Sequence, residues 1–142
     1  MDEVSALTQR ILLDYSTFAV VGLSADPAKS AHSVPAALAA YGWRVIPVNP
    51  HSDQLLGEQV YRRLADIPEP VEVVNVFRPS NEAADVARQA VGIGAKALWL
   101  QLGIVSAQAR EIATRAGLLY VEDRCTAVER ARHAIRKLPR QK

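Results

Sequence analysis

The stretch that decides the fold is residues 18–33, FAVVGLSADPAKSAHS. It opens on a short apolar, β-branched run and passes Gly22. It then enters a polar loop carrying Ser24, Lys29 and Ser30, and a helical apolar pattern follows. A strand, a turn and a helix N-terminus in that order present backbone N–H groups and a positive helix end to an anion. The loop reads as a holder of the phosphates of a nucleotide-like ligand.

Upstream, Val4, Leu7, Ile11, Leu12 and Tyr15 recur at helical spacing and predict an amphipathic helix before a strand at 17–22. Downstream, Val34, Pro35, Leu38, Ala39 and Tyr41 predict a second helix. Pro35 is tolerated in a first turn, and Gly42 is a stop signal. Residues 43–48 form a second strand, ended by Asn49 and Pro50. Residues 51–70 are irregular, punctuated by Gly57, Pro68 and Pro70, with a short extended piece near Val60. A third strand at 71–77 precedes a helix capped by Ser80, with Ala83, Val86, Ala87, Ala90 and Val91 on one face. A fourth strand at 95–100 leads to a helix that Ser106 starts and Gly117 ends. A fifth strand at 118–121 leads to a last helix from Thr126, with Val128, Ala131, Ala134, Ile135 and Leu138 inward, a basic outer face and a tail that frays after Leu138.

Short, mostly apolar strands suit a parallel sheet covered on both faces. Right-handed crossovers leave few topologies. The expected fold is α/β, a single doubly wound domain over residues 1–142, with a mainly parallel sheet of about five strands in the order 3-2-1-4-5.

The bulk numbers agree with such a domain. A chain of 142 residues that is 49% hydrophobic and 23% charged can bury a core. A net charge of +2 is too small to argue for nucleic acid, although Arg130, Arg132, Arg136, Lys137, Arg140 and Lys142 cluster near the C-terminus. Cys125 is the lone cysteine, so no intrachain disulfide forms and a reducing cytoplasm is expected. No apolar run approaches the roughly 18 residues of a membrane span, and the acidic N-terminus is unlike a signal peptide.

In a doubly wound sheet, ligands bind beyond the carboxyl ends of the strands. Those ends deliver Gly22, Leu23 and Ser24; Val48, Asn49 and Pro50; Phe77 and Arg78; Gln101 to Gly103; and Glu122 to Cys125. Gly22 permits a tight turn and close approach of a ligand. Lys29 near a helix start is unfavourable unless something anionic intervenes; a solvated loop lysine is the alternative. Ser24, Ser30 and Ser33 are caps or phosphate contacts. Arg78 pairs with a phosphate or with a neighbouring loop. Glu122 and Asp123 beside Arg124 read as a structural ion pair. His32, His51 and His133 have no metal spacing.

The dinucleotide fingerprint G-x-G-x-x-G is not met: Ser24 stands at the second glycine and Pro27 at the third. No acidic residue ends the second strand, where Asn49, Pro50 and His51 stand. A standard NAD site is disfavoured, and no P-loop motif occurs.

Six segments in register resemble the CoA-binding domain family. They are 21–29, 43–50, 56–68, 76–78, 98–103 and 122–125, spanning about residues 12–133. That family comprises Rossmann-like proteins related to the N-terminal domain of the succinyl-CoA synthetase alpha subunit. The resemblance implies coenzyme A, or an acyl-CoA, at the carboxyl edge. Gly22, Leu23, Ser24, Lys29 and Ser30 would carry its phosphates, Val48, Asn49 and Pro50 would flank it, and Phe77 and Arg78 would line it. Family members often have an aromatic residue or histidine where Arg130 follows Glu129 here. The synthetases carry their phosphorylated histidine in a second domain, so the resemblance implies binding without catalysis. Two alternatives stand beside it: an NAD(P)-dependent oxidoreductase, and a protein-interaction module using the basic C-terminal helix. Cys125, if it faces the site, would form a mixed disulfide with the CoA thiol.

Overall fold

The computed structural model describes residues 1–137. Seven strands and five α-helices follow in order: α1 (Glu3–Asp14), β1 (Thr17–Val21), α2 (Ser30–Ala40), β2 (Arg44–Val48), β3 (Gln54–Leu55), β4 (Glu58–Gln59), β5 (Val73–Val76), α3 (Ala83–Gly92), β6 (Ala97–Leu100), α4 (Ala107–Arg115), β7 (Leu119–Val121) and α5 (Thr126–Arg132). Five strands make one parallel sheet in the order β2-β1-β5-β6-β7, and β3 with β4 is a small separate hairpin.

Side chains alternate across this sheet as a doubly covered parallel sheet requires. Phe18, Val20, Val45, Val73, Ala97, Trp99 and Val121 face α1, α2 and α5, where Ile11, Leu12, Leu38 and Ile135 meet them. Ala19, Ile46, Val48, Val74, Val76, Leu98, Leu100 and Tyr120 face the alanine-rich sides of α3 and α4. The alanines Ala83, Ala87, Ala90, Ala109 and Ala113 are fully buried.

The doubly wound α/β class matches the expectation, but the strand order does not. Counting only the sheet strands in chain order, the order is 2-1-3-4-5 rather than 3-2-1-4-5. The cause is the connection between β2 and β5. Its apolar residues Leu64, Ile67 and Val71 pack with the α3 face rather than the α2 face. A right-handed crossover on that face returns the chain across β1 instead of carrying it outward. The strand expected beyond β2 therefore lies beside β1, and β2 is left next to the sheet's margin.

Smaller differences have local causes. The extended piece near Val60 is a hairpin turned by Leu56 and Gly57, both with positive φ, and Tyr61 bridges Val48 in parallel. Ser80 does not cap α3. It begins a 3-10 turn, and its hydroxyl accepts the Val105 N–H at 3.1 Å. Ser106 does cap α4, accepting the Ala109 N–H at 3.0 Å. The short α5 turns Thr126 and Glu129 inward and leaves Val128 exposed, against the apolar face expected there. Polar groups set that face. Thr126 sits over Asn75 and Gln101, and Glu129 accepts the Thr8 hydroxyl at 2.8 Å. Ile135 is buried as expected, after the chain has left the helix. The inward Leu138 and the fraying tail lie outside the described residues.

Candidate functional site

The order β2-β1-β5 creates the reversal point of the sheet between β1 and β5. The chain leaves β1 through α2 on one face and leaves β5 through α3 on the other. The crevice between the two helix starts is where such folds bind ligands. A cleft of about 740 Å³ opens there.

Its floor depends on Gly22. The residue has φ +93°, a conformation L side chains rarely adopt, and a Cβ there would stand 2.9 Å from both the Phe77 carbonyl oxygen and Arg78 Cδ. Only glycine lets the ends of β1 and β5 approach this closely. The loop beyond is folded by its own side chains. Ser24 Oγ accepts the Asp26 N–H at 3.0 Å, and Asp26 Oδ1 accepts the Ala28 N–H at 2.9 Å. Both are short-range side-chain turns of the kind Ser and Asp favour.

Lys29 then occupies the N-cap of α2 in extended conformation, with no side-chain cap bond. The serines expected as caps do not serve as such here. Ser30 and Ser33 lie exposed within the first helical turn. The α2 start thus keeps its positive dipole end without a capping side chain. Among the described residues Lys29 has no ion-pair partner.

Asn49 fastens the second wall to the first. Its Nδ2 donates to the Leu23 carbonyl at 2.8 Å, and its Oδ1 accepts the His51 and Ser52 N–H groups at 2.7 and 3.0 Å. Arg78 forms the third wall and pairs side-on with Glu82 at 3.2 and 2.9 Å. Of the ten residues expected at a site, Gly22, Leu23, Ser24, Lys29, Val48, Asn49, Pro50, Phe77 and Arg78 line this one cleft; Ser30 does not.

Sequence reasoning missed Arg62, Arg63, Glu82, Asp85 and Gln89, which also line it. The last three had a signal: 82, 85 and 89 share a helical face, and Gln89 donates to Asp85 at 2.9 Å. Arg62 had none, because a single bridge between Val48 and Tyr61 brings it to the edge.

The β6–β7 half of the same edge has a different character. Glu122 pairs with Arg110 at 3.4 Å rather than with Arg124, and accepts the Tyr120 hydroxyl at 2.8 Å. Burial, then the hydrogen bond and charge of Glu122, push the Tyr120 phenol well above its ordinary range. Asp123 accepts the Gly103 N–H at 2.7 Å. Cys125 is the half-buried N-cap of α5 and does not line the cleft. Among the described residues no group of three or more His, Cys, Asp or Glu could hold a metal ion. No described helix is long and apolar enough to cross a membrane.

Fold and cleft define a doubly wound, Rossmann-like α/β protein with a crevice at its switch point. The CoA binding domain family model matches residues 16–131, and the chain belongs to that family. It is 35% identical over 129 residues to the uncharacterized protein YneT of Bacillus subtilis (strain 168), covering 91% of this chain and 93% of that one. A hypothetical protein from Pyrococcus horikoshii OT3 superposes with a TM-score of 0.89 at 34% identity, covering 92% of each chain. The dinucleotide-forming acetyl-coenzyme A synthetase 1 of Ca. Korarchaeum cryptofilum matches with a TM-score of 0.66 at 27% identity. That match covers 80% of this chain and 27% of the larger protein.

Proposed function

We propose that the cleft binds coenzyme A, or an acyl-CoA, and that the chain performs no catalysis of its own. The observation that carries this reading is the conjunction at the reversal point. Gly22 is held against Phe77 and Arg78, beside an α2 start with no side-chain cap and a lysine with no ion pair among the described residues. Bare N–H groups at a helix start suit phosphate oxygens, and Lys29 adds the countercharge. Membership of the CoA binding domain family supports coenzyme A as that phosphate ligand. The larger synthetase shows that a domain of this shape also occurs within an enzyme. In this reading the present chain supplies the binding part. Ser24, Asn49, Arg78 and Gln89 of the cleft are engaged in a loop turn, hydrogen bonds and an ion pair, and among the described residues no nucleophile and base are hydrogen-bonded to each other there.

Thermal unfolding with added ligand tests the proposal. At a hundred times the dissociation constant, CoA stabilises the native state by about 2.7 kcal/mol. A clear shift with NAD(P) and none with millimolar CoA overturns it in favour of a dinucleotide enzyme. Native mass spectrometry of the purified protein would show a retained ligand directly.

A further inference from the structure

We infer that Arg62 and Arg63 form a second phosphate station, separate from the 22–30 loop, which selects ligands whose ribose carries a phosphate of its own. The inference rests on the CoA reading of the cleft and specifies which part of that ligand the outer rim recognises.

Position is the first argument. Tyr61 lies outside β2, its N–H donating to the Pro47 carbonyl and its carbonyl accepting the Asn49 N–H, each at 3.0 Å. Residue 62 therefore stands two strand spacings, about 9.6 Å, from the end of β1. Lys29 and the α2 start serve the β1 side. The cations of the cleft stand in three places, Lys29 at the α2 start, Arg78 beyond β5 and paired with Glu82, and Arg62 with Arg63 outside β2, and a ligand with a single phosphate cluster uses only one of them.

The second argument is how Arg62 is held. Its Nη1 donates to the Asn49 carbonyl at 3.1 Å and to the Ser52 carbonyl, and its Nη2 donates to Asp53 Oδ1 at 2.7 Å. A guanidinium has five N–H donors, so these three contacts leave two for a ligand. The two carbonyls both hold Nη1, independently of Asp53. A cation held this way loses little freedom when it pairs with a phosphate.

The third argument is the weakness of the present countercharges. The Asp53 side chain is 92% exposed, and Arg63 pairs with Asp66 at 3.1 Å on the open surface. Exposed ion pairs of this kind contribute little, so a dianionic phosphate displaces them readily. Coenzyme A carries both features, a 5′-diphosphate for the loop and a 3′-phosphate on the same ribose for the rim.

Titration calorimetry with CoA and with dephospho-CoA separates the two stations. The wild type binds CoA at least about tenfold more tightly than dephospho-CoA. In the double variant Arg62→Gln, Arg63→Gln that ratio falls to about threefold or less, with dephospho-CoA affinity unchanged. Asp53→Asn removes the competing carboxylate and raises CoA affinity about two- to threefold without changing dephospho-CoA affinity. A poorly folded variant cannot produce that gain. Equal affinity of the wild type for the two ligands, or a ratio that survives the double substitution, overturns the inference and leaves the CoA reading standing. Failure of the wild type to bind either ligand overturns both.

Discussion

The two halves of the sheet's carboxyl edge are made of similar materials and reach opposite ends. At β6 and β7, as at β1, β2 and β5, polar residues follow apolar strands and helices begin. In the β6–β7 half the chain satisfies many of these groups itself, although the buried Arg124 Nε has no partner among the described residues. Ser106 caps α4, Asp123 takes the Gly103 N–H, Ser80 takes the Val105 N–H, and Glu122 takes the Tyr120 hydroxyl. Gln101 Oε1 even receives the Thr126 N–H at 3.4 Å, covering the start of α5. In the other half α2 starts on an extended lysine with no side-chain cap, and Gly22 lets the ends of β1 and β5 approach closely beneath it. Polarity at a strand end does not make a site. What distinguishes a site is polar groups that the protein leaves for something else.

The largest expected effect comes from closing the open half. Gly22→Val forces a side chain into a left-handed conformation and against the Phe77 carbonyl, 2.9 Å from its Cβ. Denaturant unfolding should show a loss of at least about 2 kcal/mol, and calorimetry no CoA binding. Lys29→Ala should instead separate binding from folding. CoA affinity falls about tenfold with weaker salt dependence, while stability stays within about 0.5 kcal/mol of wild type. An unchanged affinity would remove Lys29 from the site.

The sealed half should behave in reverse. Ser106→Ala costs about 1 kcal/mol of stability through the lost cap, with no change in CoA affinity. The smallest effect is a pH dependence at Tyr120. Its folded pKa is raised, so its contribution is complete below the unfolded value near 10 and is lost as pH rises through the folded value. The unfolding midpoint of the wild type should therefore fall more between pH 8 and pH 10.5 than that of Tyr120→Phe. Parallel curves for the two proteins would show that Tyr120 titrates alike in both states.

Much of the cleft was legible because strand ends can be read from hydrophobic patterning. Once 17–22, 43–48 and 71–77 are strands, residues 22–24, 48–50 and 77–78 must emerge at one edge of a parallel sheet. The neighbour relations were harder to read. Pro47 carries a signal of its own. Proline cannot donate to a sheet ladder and belongs on edge strands, and Pro47 lies on β2 at the end of the sheet, paired with Val20 of β1. That residue alone argues against placing the second strand between the first and third. Arg62 had no comparable signal, because its place depends on a bridge of one residue. The inward face of α5 was misread because polar contacts from Asn75, Gln101 and Thr8 outweigh a weak apolar period in a seven-residue helix.

The sequence by itself determined the local elements: alternating strands and helices, the glycine turn after β1, and the polar residues waiting at the strand ends. Those follow from side-chain periodicity and backbone preference, which act over a few residues. Only the tertiary structure decided that β5 lies beside β1, and with it that Phe77 and Arg78 close on Gly22. That choice depends on which face the irregular 49–72 connection covers. Leu64, Ile67 and Val71 settle the matter by packing against residues distant in the chain.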